Sequence, residues 1–289
     1  MKTDGMRFHK VIWIPGLLVV SALSGCGLFG SKSTPMTSDQ QMAAFIAHEH
    51  KTRATDQGLQ APADDGKAKA GIYTSLGTAY LQDGHPRQAI RELQMANQAD
   101  DSYADAYNVM GLAYEQLGQK TLARQAFEQA LSLDAKNPEY RNNYGAFLVN
   151  TGDYQQAIVQ LKQATADPLY STPQFAWTNL AQAYAGLKDP VAARNALNRA
   201  LYLLPNYPPA LQILAEMDFK EGNVQAAYGH LQVVLAQEPD NASALLLAGQ
   251  IAARQGRPEQ AAALWQRCVN AAPYSDAGKK AQQLLLQHG

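Results

Sequence analysis

The sequence is poor in cysteine, and its two cysteines stand in unlike surroundings. Cys26 follows an apolar run near the amino terminus, whereas Cys268 lies in a helical pattern near the carboxyl terminus. Two cysteines placed in this way exclude a framework of disulfide bonds. Cys268 occupies the small-residue position that Ala130 and Ala164 hold elsewhere, so we predict that its thiol is buried and inert.

An excess of positive charge is also missing. The 24 Lys and Arg residues nearly balance the 25 Asp and Glu residues, which leaves a formal net charge of −1. No stretch concentrates Lys or Arg on one face, and such a face is the usual electrostatic footprint of a nucleic-acid binder. We therefore predict that the chain has no nucleic-acid partner.

The motifs that mark catalysis are missing as well. The chain has no Gly-x-Ser-x-Gly motif and no glycine-rich dinucleotide fingerprint, which would indicate a hydrolase nucleophile or a bound nucleotide cofactor. His48 and His50 flank Glu49, but side chains two residues apart point to different sides of a helix, and no third ligand lies nearby. We predict a protein that is not an enzyme and has no metal, no cofactor and no small-molecule substrate.

Long hydrophobic runs are absent too, because the apolar run at the amino terminus is short. Residues 11–23 follow the positive charges of Lys2, Arg7 and Lys10 and are interrupted at Pro15 and Gly16. A helix that spans a bilayer needs about 20 apolar residues. The segment 1–25 is therefore predicted to be a secretory signal peptide that is removed.

The residues that end this segment, Leu23-Ser24-Gly25-Cys26, resemble the bacterial lipobox. The resemblance implies cleavage before Cys26 and attachment of lipid to that cysteine; a plain signal peptide or a single membrane anchor is the alternative. Gly27 stands where an aspartate would resemble an inner-membrane retention signal. The resemblance therefore favours a lipid anchor in the outer membrane of a Gram-negative host, with the protein on the periplasmic face.

A flexible tether is predicted for residues 26–66, after the lipidated cysteine. Gly30 and Pro35 stand near its start, and Pro62 and Gly66 stand near its end. Such residues break regular structure and favour a flexible linker, although residues 40–55 between them suit a transient helix. A tether of this kind would let a lipid-anchored domain stand away from the membrane.

What the sequence has in abundance is an internal repeat of 34 residues. In residues 104–137, two sets of small and large apolar residues at helical spacing lie on either side of Gly118: Tyr107, Met110, Gly111 and Tyr114, then Ala123, Phe127 and Ala130. The pattern occurs six times, with a two-residue insertion after the third unit; units 1 to 6 are 70–103, 104–137, 138–171, 174–207, 208–241 and 242–275. Each unit is predicted to be two short helices, and residues 276–287 are predicted to form a capping helix.

This period and pattern resemble the tetratricopeptide repeat. The resemblance implies an all-α domain over residues 67–289, in which six helix-turn-helix repeats form a right-handed superhelical solenoid. Stacking is obligatory, because no single unit can cover its own apolar face. One departure is Asp218, which stands where Tyr80, Tyr114 and Tyr184 stand in other units; either unit 5 packs differently there, or Phe219 replaces the missing aromatic ring.

Partner binding in a helical solenoid is expected on the concave surface, which the first helix of each unit builds. Positions that the core pattern does not use carry a series of amides and an apolar row on that surface: Asn108, Asn142, Asn143 and Asn179, beside Leu81, Leu112 and Val149. The amides would bind the backbone of an extended or helical peptide, and the apolar row would bind its side chains. Alternatively, the asparagines are merely solvated or cap neighbouring turns.

The combination of lipobox, tether and six repeats resembles the type IV pilus biogenesis pilotins, also called pilus stability lipoproteins. The similarity is most specific between Asn142 and Tyr170, where the two-residue insertion lies. It implies a non-enzymatic outer-membrane lipoprotein that binds the pilus secretin and promotes its outer-membrane localisation and multimerisation. Another lipid-anchored periplasmic adaptor, for tight-adherence pilus assembly or cell-wall hydrolases, is the first alternative, and an enzyme with an unrecognised site is the second.

Overall fold

The computed structural model of the chain describes residues 65–288, in which every regular element is an α-helix. The helices, in chain order, are α1 (Asp65–Gln82), α2 (Pro86–Ala99), α3 (Ala104–Gln116), α4 (Lys120–Leu133), α5 (Pro138–Thr151), α6 (Tyr154–Thr165), α7 (Pro173–Gly186), α8 (Pro190–Leu203), α9 (Pro208–Glu221), α10 (Val224–Gln237), α11 (Ala242–Arg254), α12 (Pro258–Ala271) and α13 (Asp276–His288). Twelve of them pair within the six predicted units and α13 follows, so the all-α repeat fold is confirmed. The first helix begins at Asp65, inside the predicted tether.

None of these helices, over residues 65–288, combines the length and the apolar composition needed to cross a membrane. The predicted signal peptide, Cys26 and most of the predicted tether lie outside the described residues, as do His48 and His50.

Within a unit, a glycine in the first helix decides how closely the second helix can pack. A Cβ atom added to Gly77 would lie 2.8 Å from Leu93 Cγ, and one added to Gly111 would lie 2.7 Å from the Phe127 ring. Both separations are shorter than van der Waals contact, so a larger residue would push the helices apart or distort the partner side chain. Glycine at this position therefore lets α1 pack on α2 and α3 pack on α4.

The first helices form the inner layer of the solenoid. Among the described helices, α3 contacts α5, α5 contacts α7 and α9 contacts α11, whereas successive second helices make no comparable contacts. Because the first helices lie closer together, their shared surface is the concave one. We call the surface formed by the inner faces of α1, α3, α5, α7, α9 and α11 the concave groove.

The last helix covers the end of the solenoid. Helix α13 packs on both α11 and α12, and its Ala281 is fully buried. The predicted capping helix is thus present and shields the apolar face of unit 6. Cys268 is also fully buried, with its Sγ atom 3.1 Å from the carbonyl oxygen of Ala242. Burial raises the pKa of this thiol, as expected for an inert cysteine.

The turn inside unit 4 differs from the other five. The others use a glycine with φ between 70° and 88° at the end of the first helix: Gly84, Gly118, Gly152, Gly222 and Gly256. Unit 4 has Lys188 at this position with φ of 63°, and no other non-glycine residue in the described part of the chain has a positive φ. A side chain with a Cβ atom is strained in this conformation, whereas glycine adopts it readily.

We predict that Lys188→Gly stabilises the protein, because it relieves this strain. The expected increase in the free energy of unfolding is about 0.5–1 kcal/mol, after allowance for the greater freedom of glycine in the unfolded chain. Denaturant unfolding followed by circular dichroism measures it. Lys188→Ala is the control, since it removes the charge and keeps the Cβ atom; an equal effect of both substitutions would contradict the strain argument.

Candidate partner-binding groove

The four predicted asparagines form a hydrogen-bonded ladder across three helices of the concave groove. Asn143 Nδ2 on α5 donates to Asn108 Oδ1 on α3 at 3.2 Å, and Asn179 Nδ2 on α7 donates to Asn142 Oδ1 at 3.0 Å. Asn142 Nδ2 also donates to Asn143 Oδ1 at 3.4 Å. Asn108 and Asn142 are only 4% and 8% exposed. The side chains of Asn108 and Asn142 are therefore not merely solvated, and none of the four caps a turn, since the ladder links units 2, 3 and 4.

The ladder leaves hydrogen-bonding capacity at its two ends. Neither Asn108 Nδ2 nor Asn179 Oδ1 has a partner among residues 65–288. One is a donor and the other an acceptor, and a peptide backbone offers the complementary groups. Asn108 is almost fully buried, so the half-buried Asn179 is the end of the ladder that can reach a peptide backbone. Most of the other amide groups are already bonded to one another.

Two of the three residues of the predicted apolar row lie in the hydrophobic core and not on the exposed surface of the groove. Leu81 and Val149 are 4% and 8% exposed and belong to the hydrophobic core. Leu112 is half-buried and packs against the core on both sides of it. The premise that these side chains have no core role is wrong, because neighbouring first helices are in contact and bury part of their inner faces. Of the three, Leu112 is the most accessible from the groove.

One edge of the groove at units 2 and 3 carries two carboxylates. Asp105 and Glu139 lie in the first turns of α3 and α5, where negative charge is favourable near a helix N-terminus. The Tyr140 hydroxyl on α5 donates to Asp105, which adds a second link between the units. Partial desolvation and the charge of Asp105 raise the pKa of Glu139. This edge of the groove is therefore negative, which the sequence pattern did not reveal.

Asp218, the departure from the repeat pattern, is the acceptor of a buried ion pair. It is 3% exposed, and its Oδ1 lies 2.9 Å from Arg194 Nη2 on α8. Its Oδ2 lies 3.4 Å from His230 Nε2 on α10. Unit 5 therefore packs differently at this position, as the first of the two alternatives held. The next residue, Phe219, is partly buried against the neighbouring core, with the Arg254 guanidinium 4.1 Å from its ring centroid.

The predicted lipidation site, Cys26, and the histidines at 48 and 50 cannot be placed on this surface, since they lie outside residues 65–288. Within that range, no three His, Cys, Asp or Glu side chains are grouped so that they could hold a metal ion.

Models of the tetratricopeptide repeat match four overlapping or successive segments: 104–137, 126–159, 147–210 and 218–285. Together with the paired helices and the stacked units, these matches define the chain as a tetratricopeptide-repeat solenoid. Proteins with this fold are typically scaffolds for protein–protein interaction.

The relatives narrow this class to one family. The chain is 30% identical over 206 residues to the type IV pilus assembly protein PilF of Pseudomonas aeruginosa, which covers 70% of this chain and 82% of PilF. A solved structure of P. aeruginosa PilF superposes with a TM-score of 0.65 at 27% identity and covers 76% of this chain and 99% of that one. The solved structure of PilW, a widely conserved type IV pilus biogenesis factor, superposes with a TM-score of 0.66 at 27% identity. The superposition covers 74% of this chain and 98% of the PilW chain. The chain belongs to the PilF family of type IV pilus assembly proteins.

Proposed function

We propose that this chain is a pilotin, an outer-membrane lipoprotein that binds the type IV pilus secretin and promotes its localisation and multimerisation. The observation that carries the proposal is the similarity to PilF over 82% of PilF's length, which supports a role in pilus assembly. The protein acts in this proposal by binding a partner and catalyses no reaction.

The lipid anchor is the second part of the proposal. Leu23-Ser24-Gly25-Cys26 follows a charged start and a short apolar run, which supports export and lipid attachment at Cys26. Stable anchoring takes more than one acyl chain, and a lipidated amino-terminal cysteine supplies them. Gly27 after Cys26 supports the outer membrane, with the repeats on the periplasmic side. The anchor would place any bound secretin subunit next to the membrane that it enters.

The concave groove at units 1 to 4 is the proposed binding surface. Its accessible groups are Leu112 and the half-buried amides Asn143 and Asn179. Leu81, Val149, Asn108 and Asn142 lie beneath or between the helices and hold the surface in shape. A secretin segment would lie along α3, α5 and α7, with its backbone on the ladder and an apolar side chain against Leu112.

We expect Asn179→Ala and Leu112→Glu to weaken the binding of periplasmic secretin fragments, measured by isothermal titration calorimetry with the purified full chain. The alanine removes a hydrogen-bond acceptor and should reduce the binding free energy by about 0.5–1.5 kcal/mol. Leu112→Glu should reduce the binding free energy more than Asn179→Ala does, because the complex would bury an unpaired carboxylate. Both Asn179→Ala and Asn142→Ala break the hydrogen bond between the two side chains. Asn179 is used because it is half-buried, whereas removal of the buried Asn142 side chain would also leave a cavity.

Leu122→Glu is the matched control, because Leu122 is 42% exposed on α4, outside the groove. Thermal melts of all variants separate loss of binding from loss of folding. Unchanged affinity in both Asn179→Ala and Leu112→Glu would move the binding site to another surface of the solenoid.

A further inference from the structure

One carboxylate in the concave groove of units 4 to 6 has no cation paired with it. Glu216 on α9 is half-buried, and no Lys, Arg or His nitrogen of residues 65–288 forms a salt bridge with it. Burial raises the pKa of Glu216, and a hydrogen bond from Gln212 and the positive charge of Lys220 offset the effect only in part. The surroundings of Glu216 thus disfavour the ionised form of its carboxyl group.

Glu216 lies at the centre of a polar row that crosses three first helices. The equivalent residues of the neighbouring units are Gln182 on α7 and Gln250 on α11, and both are half-buried like Glu216. In units 2 and 3 the same position holds Leu112 and Ala146. At this position the groove therefore changes from apolar residues in units 2 and 3 to two amides on either side of one carboxylate in units 4 to 6.

The arginine at the end of the neighbouring first helix α11 is already engaged. Arg254 stacks on the Phe219 ring, with 4.1 Å between guanidinium and ring centroid, and its Nη1 donates to the Phe219 carbonyl oxygen at 3.5 Å. Lys220 is exposed one turn after Glu216, and it lies beyond salt-bridge distance. The fold itself consequently leaves Glu216 able to accept charge-assisted hydrogen bonds from a ligand.

We propose that Glu216 binds a lysine or arginine side chain of the segment that occupies the concave groove, with Gln182 and Gln250 on either side of it. The inference deepens the proposed function and rests on the part of it that places a protein segment in this groove. Charge complementarity supports a basic segment, because Asp105 and Glu139 make the edge of the groove negative at units 2 and 3 as well. Bonds to a charged donor are about twice as strong as neutral ones and fix the position of the donor.

The partner segment then has a defined chemistry. It carries an apolar side chain for Leu112 and, further along, a basic side chain for Glu216. An unpaired, half-buried carboxylate discriminates against neutral or acidic residues at that point, because they would leave it desolvated without a counter-charge.

Selection from a phage-displayed library of short random peptides tests the proposal without any secretin. The purified full chain is the target, compared with Glu216→Gln and with Glu259→Gln, a control that changes an exposed glutamate at the start of α12. The wild type and the control should enrich peptides that contain Lys or Arg, and Glu216→Gln should not. A synthetic peptide from the wild-type selection should bind Glu216→Gln roughly tenfold more weakly, a difference of about 1.4 kcal/mol.

Thermal melts exclude misfolding as the cause. A raised pKa in the folded state means that ionised Glu216 opposes folding at neutral pH, and that this effect disappears as the carboxyl is protonated at low pH. Glu216→Gln should therefore melt at the same or a higher temperature than the wild type at neutral pH while it binds basic peptides less well.

Two results would overturn the proposal: selection on the wild type without enrichment of Lys or Arg, including selection that yields no binding peptide, or equal affinity of a selected basic peptide for the wild type and Glu216→Gln. Because no secretin is present, failure here is distinct from failure of the pilotin function, which is measured by the fate of the secretin in cells.

Discussion

Phe127→Ala is expected to lower the free energy of unfolding by about 3–5 kcal/mol, as removal of a buried aromatic ring usually does. Phe127 is fully buried between units 2 and 3. Its ring centroid lies 5.9 Å from that of Tyr144 and 5.5 Å from that of Phe147, and it fills the space that Gly111 leaves open. Alanine would leave a cavity at the interface on which the stacking of these two units depends.

Chemical denaturation of the wild type and the variant measures this loss. Phe127→Leu is the control, because Leu93, Leu161, Leu197 and Leu231 occupy the equivalent place in other units. Leucine keeps most of the apolar volume and should cost about 1 kcal/mol. A loss below that value for alanine would show that the interface closes around the cavity or contributes little to the stability of the solenoid.

Asp218→Ala should cost about 2–3 kcal/mol, because it leaves the Arg194 guanidinium without its buried counter-ion. The carboxylate side chain is 4% exposed and Arg194 is 32% exposed, so water can compensate only one partner. Arg194 also keeps Glu221, whose Oε2 atom lies 2.9 Å from the same Nη2 atom. Because this contact with Glu221 remains, the expected loss is smaller than the roughly 3–5 kcal/mol that usually follows when one partner of a buried ion pair is removed.

Glu221→Ala provides the matched comparison for Asp218→Ala. Both substitutions remove an acceptor at 2.9 Å from Arg194, but the Glu221 side chain is 44% exposed. An exposed ion pair is worth about 0.2–1 kcal/mol, so Glu221→Ala should have a small effect in the same unfolding experiment. Equal losses for the two variants would contradict the argument that burial, rather than the number of contacts, makes Asp218 important.

The repeat architecture could be predicted from the sequence because it depends on local periodicity. A small residue at the position of Gly111 and a large apolar residue at the position of Phe127 recur in every unit, as at Gly145 and Leu161. Gly111 faces Phe127 as the pattern of small and large residues suggested. The capping helix was predictable for the same reason, since its apolar face repeats at helical spacing.

The state of the groove residues could not be predicted in the same way. Whether Asn108, Leu81 or Val149 is exposed depends on the distance between neighbouring first helices. The residue spacing within one unit gives no information about that distance. One partner of the buried Asp218 carboxylate is also supplied by another unit, because Arg194 lies in unit 4. The left-handed Lys188 could have been found by alignment of the six units, in which it stands among glycines.

The burial of Glu216 could not be predicted from the sequence, because a charged residue at a position outside the core pattern is usually solvated. Its half-buried setting depends on how closely the neighbouring helices α8, α10 and α11 pack against α9. A glutamate on the outer surface of a second helix, such as Glu259, has the same chemistry without this desolvation. Packing between helices thus distinguishes two glutamates that look alike in the sequence.

The location and assembly of the secretin in a strain that lacks this protein is the most direct test of the pilotin function. Membrane fractionation and electrophoresis that preserves multimers measure both. We expect the secretin to remain monomeric and outside the outer membrane, and the wild-type chain to restore rings there. Cys26→Ser should bind the secretin without restoring its location, because the solenoid is no longer attached to lipid. Normal secretin rings in the outer membrane of the deletion strain would contradict the proposed function and favour another lipid-anchored periplasmic adaptor.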